Sequence, residues 1–151
     1  MKAAEGKERT TDEAQVRAII EDYAEGLRKK DADRCVAHYA DDVLQFDLAP
    51  PLENHGKETA RKNLAEWFKT FDGPIGVEIA ELKITEAADA AFASCLNHIS
   101  GKSIHGEKND HWVRVTIGFQ KTDGKWLVTH EHVSVPFYMD GSFKAALDLK
   151  P

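Results

Sequence analysis

Two histidines two residues apart on a strand point to the same side, and His130-Glu131-His132 lies in such a run, Lys125 to Phe137. A pair of this kind can move protons near neutral pH or supply two ligands to a metal. A second run rich in β-branched and aromatic residues, Val113 to Gln120, precedes it. Thr122-Asp123-Gly124 between them reads as the turn of a β-hairpin, with Gly124 at the position that needs φ > 0. Strand alternation puts Trp126, Val128, His130, His132 and Ser134 on one face. With a three-residue loop, Lys121 faces Lys125, Arg114 lies opposite His132, and Thr116 lies opposite His130. A two-residue turn slides the register by one and substitutes Val113 and Val115 for Arg114. The three-residue loop is the expectation, since Asp-Gly after a polar residue suits a type I turn with a bulge. Arg114, Thr116, Trp126, His130 and His132 then line one surface, where the guanidinium can grip a carboxylate bidentately.

The elements that must position these groups follow from periodicity. Val16, Ile19, Ile20, Tyr23, Ala24 and Leu27 form one stripe of an amphipathic helix over residues 12–30. Tyr23 is its only member with a polar tip; on its own it is equally a core tyrosine. A short helix over 32–40, capped by Asp31, is expected to end at Asp41-Asp42. A strand, Val43 to Leu48, follows, with Val43, Gln45 and Asp47 on one face. Pro50-Pro51 stops paired strand, so residues 49–55 should leave the sheet and rim an opening, with His55 at its end. A third helix over 56–71 carries an aromatic stripe with Trp67, a wall for a cavity or simply core, and Gly73-Pro74 should end it. A strand over 75–84 slips phase near Ala80-Glu81, the mark of a β-bulge. Another covers 90–100, and residues 101–110 read as a polar loop, with His105 and His111 solvated. Residues 1–11 read as a frayed polar tail. Residues 138–151 form a second tail whose Phe143, Leu147 and Leu149 can lie over an opening.

The chain has 151 residues, a 42% apolar fraction and a formal charge of −6, which suits one domain with one core. Acids and bases are interleaved, and no basic stripe suggests nucleic acid. No apolar run approaches membrane-spanning length, and no secretory leader is evident. Cys35 and Cys95 fall on buried faces of different elements and read as reduced thiols in the cytoplasm.

Three helices followed by a four-stranded meander imply an α+β fold. The expected shape is a cone, a curved antiparallel sheet with the three N-terminal helices on its concave side. Residues 12–137 would form it. Tyr39-Ala40-Asp41-Asp42-Val43, and Arg114 through Asp123-Gly124-Lys125-Trp126 to His130-x-His132-x-Ser134, resemble the SnoaL-like and ketosteroid-isomerase-like branch of the nuclear transport factor 2-like superfamily. The second stretch also resembles the association domain of calcium/calmodulin-dependent kinase II. The resemblance implies a cystatin-like fold and a pocket inside the cone.

It also implies roles, of the kind ketosteroid isomerase illustrates with an Asp base and a Tyr–Asp oxyanion hole. Asp47 falls at the base position and Tyr23 at the oxyanion tyrosine. The second acid should lie on the strand of Val115 and Thr116, where none stands; Asp110 is too early. Arg114 in that region argues for a more acidic substrate. The expected catalytic set is Asp47, Tyr23, His130 and His132, with Arg114, Trp67, His55, Thr116 and Trp126 binding the ligand. These groups suit proton abstraction next to a carbonyl, hence isomerisation, cyclisation or dehydration. The polar groups alone would equally make a satisfied buried network. His130-x-His132 could take a metal with Asp47 or His98, but without a clear third ligand no metal is expected. No nucleophile elbow, phosphate loop or flavin fingerprint appears, so no organic cofactor is expected. A small-molecule ligand and a homodimer through the outer sheet face are the expected partners, with no nucleic acid and no membrane. A non-catalytic ligand-binding or oligomerisation module is the alternative.

Overall fold

A computed structural model describes the backbone from Lys2 to Pro151 and the side chains from Asp12 onward. Helix α1 is assigned over Lys2–Arg28. The expected tail at residues 1–11 falls outside the described side chains. Along α1, Val16, Ile20, Ala24 and Leu27 are buried, so the apolar stripe faces the core. Arg28 ties its end to β3 (Phe71–Glu86), with Nη2 2.7 Å from the Val77 carbonyl oxygen.

Gly26 sits where α1 meets the next turn. A Cβ there would lie 2.7 Å from the Cys35 Sγ and 3.0 Å from its amide nitrogen. The gain in helix propensity, about 1 kcal/mol, cannot offset a backbone clash in a packed contact. Gly26→Ala is expected to lower stability by about 1–3 kcal/mol, read as a reduced denaturant midpoint.

Helix α2 is one turn, Ala32–Cys35, with the Asp31 carboxylate accepting from the Arg34 amide. The expected helix over 32–40 is cut short because strand β1 (Tyr39–Phe46) starts early. Pairing with β6 (Lys125–Ser134), Tyr39 opposite Val128, outweighs the local helical pattern. Asp41 and Asp42 are exposed residues within β1 and do not end a helix. The Pro-rich segment returns to the sheet as β2 (Asn54–His55), His55 pairing with Leu44. Helix α3 is Lys57–Phe68, shorter than expected. Phe71 already belongs to β3, and Gly73-Pro74 occupies an irregularity in that strand. The second slip of β3, between Ala80 and Lys83, is the anticipated bulge, with Glu81 at φ 55°. Strands β4 (Ala90–Ser103) and β5 (Lys108–Thr122) extend into the expected loop and leave only a tight turn between them.

The six strands run in the order β2-β1-β6-β5-β4-β3. All neighbours are antiparallel except β1 and β6. The fold is α+β, a curved sheet against helices whose buried faces share one core.

The β5–β6 hairpin departs from expectation twice. Thr122 pairs with Lys125, and Asp123 (φ 50°) and Gly124 (φ 77°) form a two-residue turn. Both central residues have φ > 0, the geometry whose twist matches the flanking strands. Next, β6 carries one extra residue, since Val128 pairs with Phe119 but His130 pairs with Gly118. Thr129 is that bulge residue, and it reverses the alternation beyond it. Trp126, Val128 and Glu131 are buried, whereas His132 is exposed.

Trp126 packs beneath α1, where its indole N–H donates to Asp12 Oδ1 at 3.1 Å; Lys121 Nζ donates to the same oxygen at 3.1 Å. Removing that acceptor leaves a buried indole N–H unpaired. Asp12→Ala is therefore expected to cost about 1–3 kcal/mol, measured by chemical denaturation.

Candidate functional site

Between α1, α3 and the inner sheet face lies a cavity of about 400 Å³, within the usual range for small-molecule sites. Tyr23 and Leu27 reach it from α1, and Leu64 and Trp67 from α3. Strands supply Gln45, Asn97, Ile99, His111, Val113, Val115, Glu131 and Val133. Asp47 and the Leu48–Pro51 segment form its edge. Trp67 is held edge-on to Phe71, ring centroids 5.0 Å apart.

The polar centre is Glu131, only 5% exposed. Its Oε2 accepts from the Tyr39 hydroxyl and from Gln45 Nε2, the latter at 3.2 Å. Tyr23 stacks on Tyr39 with ring centroids 6.2 Å apart. Burial pushes the Glu131 carboxyl above its ordinary range, against the pull of its two donors; the Asp47 charge pushes the same way as burial. Burial, and then the Glu131 charge, hold both phenols well above theirs. Burial lowers His111, so an uncharged imidazole lines the same cavity. The cysteines are unpaired and buried, Cys35 pushed up to about 12 and Cys95 to about 11, mainly by burial. Thiols held that high are poor nucleophiles.

Of the residues picked out from sequence, the cavity brings together Tyr23, Asp47 and Trp67. Arg114, Thr116, His130 and His132 do not line it, which corrects the hairpin reading. Arg114 pairs with Ser134, and Thr116 with His132, on the opposite sheet face. There His130 Nδ1 donates to the Leu44 carbonyl at 2.8 Å, and the Phe46 ring packs edge-on to both imidazoles. Trp126 is a structural anchor for Asp12. His55 is an exposed residue bonded to Glu53 at 3.0 Å. Among the described residues no cluster of His, Cys, Asp and Glu could hold a metal ion.

Losing Arg114 reverses the electrostatics. The lining contains Asp47, Glu66 and Glu131 and neither Lys nor Arg. With Arg114 on the outer face, the feature from which a more acidic substrate was expected is absent from the cavity.

Sequence reasoning passed over Glu131, Tyr39, Gln45, Asn97 and His111. A signal for Glu131 was present. Trp126 and Val128 lie in one phase of β6, and Val133 and Val135 in the other. A reversal of apolar phase within a strand is what a bulge produces.

The residues match known proteins over most of the chain. Residues 16–138 match the SnoaL-like domain, and the chain belongs to that family. A nuclear transport factor 2-like protein of unknown function from Pseudomonas putida is 34% identical, with a TM-score of 0.85 over 94% of this chain and 98% of that one. A proposed dehydratase of the nuclear transport factor 2-like family from Streptomyces avermitilis is 16% identical, with a TM-score of 0.71 over 83% of this chain and 96% of that one. A proposed scytalone dehydratase from Novosphingobium aromaticivorans is 17% identical, with a TM-score of 0.72 over 91% of this chain and 93% of that one. The last two share the fold alone. No curated protein matches the chain significantly. No helix among the described residues is long and apolar enough to cross a membrane.

Proposed function

We propose that this protein is a cofactor-free isomerase, cyclase or dehydratase that moves a proton next to the carbonyl of a small, uncharged substrate. The observation that carries the reading is that Tyr23 and the buried Glu131 line the same cavity that Asp47 edges, with burial holding the Glu131 carboxyl above its ordinary range. Asp47 is the base in this reading, and Tyr23 and Glu131 donate to the oxygen where negative charge develops. The acid absent from β5 is supplied by the neighbouring strand. Trp67 provides the apolar wall, and the lack of cations in the lining favours a neutral ligand. The dehydratase descriptions of two structural neighbours are compatible with this chemistry. Turnover of a panel of β,γ-unsaturated ketones and hydroxylated aromatic ketones, compared between the native protein and Asp47→Asn, tests it. Turnover that survives the substitution unchanged removes Asp47 as the base.

The outer sheet face is proposed as a homodimer surface. Phe92 is 53% exposed on that side, and Leu44, Phe46 and Trp112 are only half-buried. Sedimentation equilibrium should give twice the chain mass; a monomer at micromolar concentration would end the idea. A reducing, cytoplasmic location suits the two unpaired buried thiols.

A further inference from the structure

Glu131 has two oxygens with different surroundings. Oε2 is engaged twice, by Tyr39 and by Gln45. Oε1 has no partner among the described residues, and no buried side-chain oxygen there is left sealed without one. Oε1 is therefore open to the cavity that Glu131 lines. A carboxylic acid donates through its hydroxyl oxygen and accepts best through its carbonyl oxygen. An oxygen already receiving two donors is the carbonyl one.

We propose that Tyr39 and Gln45 are positioning residues: by both donating to Oε2 they place the proton of Glu131 on Oε1, where it is presented to the cavity as an O–H that recognises a substrate oxygen. This deepens the proton-transfer reading and rests on it only for the use to which the donor is put. Tyr39 does not line the cavity and acts wholly through Glu131. The opposite polarity would put the proton on Oε2, directed at Tyr39 or Gln45, and leave a bare carbonyl aimed at the ligand. That arrangement would select substrates with a hydroxyl, whereas the proposed one selects an acceptor, the carbonyl oxygen of a ketone or aldehyde. The titratable groups around Glu131 are Asp47 and Tyr39 on the β1 side, Tyr23 on α1, Cys35 on α2, Cys95 on β4 and His130 beside it on β6. His130 is the only one of them able to carry a positive charge. That imidazole sits on the far face and is tied to Leu44.

Infrared difference spectra of the full chain, native minus Glu131→Gln, isolate the carboxyl band of this residue without any ligand or turnover. The expected result is a protonated-acid C=O band at neutral pH, at the low frequency of a carbonyl receiving hydrogen bonds. Tyr39→Phe and Gln45→Met should each move it to higher frequency, because each deletes one donor to that carbonyl. A merely structural tyrosine would leave the band in place. Absence of the band at every pH at which the chain is folded, or a band that neither substitution moves, overturns the proposal. Should one variant fail to fold, the other decides. Because no substrate is used, a failure of the proposed enzymology leaves this result standing, and a failure here leaves the turnover test intact.

Discussion

Glu131→Gln will stabilise the protein at neutral pH and leave its stability unchanged in mild acid. The amide keeps the shape of the side chain, and its oxygen still accepts from Tyr39 and Gln45. What it removes is a proton equilibrium. Burial raises the acid in the folded chain above its ordinary value of 4.5. Below that value both states are protonated, and the stability linked to this group is fully present. As pH rises, the unfolded chain ionises first, holds fewer protons than the folded one, and gains relative to it. The native protein therefore loses stability from about pH 4.5 up to the folded acid's own midpoint, by about 1.4 kcal/mol per pH unit in the steep part of that window. The variant has no such loss, so the gap between the two unfolding curves opens with pH and then levels. Denaturant midpoints at several pH values measure it directly. A constant gap would mean that Glu131 is not held protonated. Glu131→Leu should behave differently, because it strips the partner from the Tyr39 hydroxyl and the Gln45 amide. It should be destabilised at every pH by about 1–3 kcal/mol for each stranded group.

Asp47→Asn is expected to lower turnover of a responsive carbonyl substrate by about 10²–10⁴-fold, with little change in binding. Asp47 is solvent-exposed, its Oδ1 accepting from the Leu48 amide at 2.7 Å, and it edges the same cavity. The asparagine keeps an acceptor for that amide and so keeps the local backbone, but it cannot take a proton. The loss should fall on kcat and spare KM, since the carboxylate acts only as the proton leaves. A second consequence separates this role from a structural one. Asp47 is among the charges that raise Glu131 and Tyr23. Neutralising it should move the Glu131 carboxyl downward, visible by infrared titration without any substrate. An equal loss in kcat/KM from weakened binding alone would point to Asp47 as a ligand contact.

Much of the architecture was legible from side-chain periodicity. The stripe from Val16 to Leu27 needs a wide apolar surface to cover, and the alternation from Ile75 onward needs a sheet; both are local patterns repeated many times, so small errors average out. The bulge at Glu81 could be read because apolar residues on both sides of it announced the change of phase. Tyr23 and Trp67 stand on the helices that periodicity assigned to them, and Asp47 stands just past the end of β1. Boundaries fared worse. Tyr39–Asp42 look like the end of a helix, yet all four lie in β1, which Tyr39 ties to Val128 of β6, a partner nearly ninety residues away in sequence that local propensity cannot weigh.

Alone, the sequence determined the kind of fold and the order of its longer elements, because these depend on patterns of burial repeated along each element; the two-residue β2 escaped it. Which face of the last hairpin meets the cavity was decided only by the tertiary structure. Two single-residue events settle it, a two-residue turn at Asp123-Gly124 and an extra residue at Thr129. Side chains alternate with a period of two, so one added residue sends His130 and His132 to the outside and turns Glu131 inward. A cationic wall thereby became a buried acid. That exchange takes the cation out of the cavity lining, and the sequence marks it only by the change of apolar phase between Val128 and Val133.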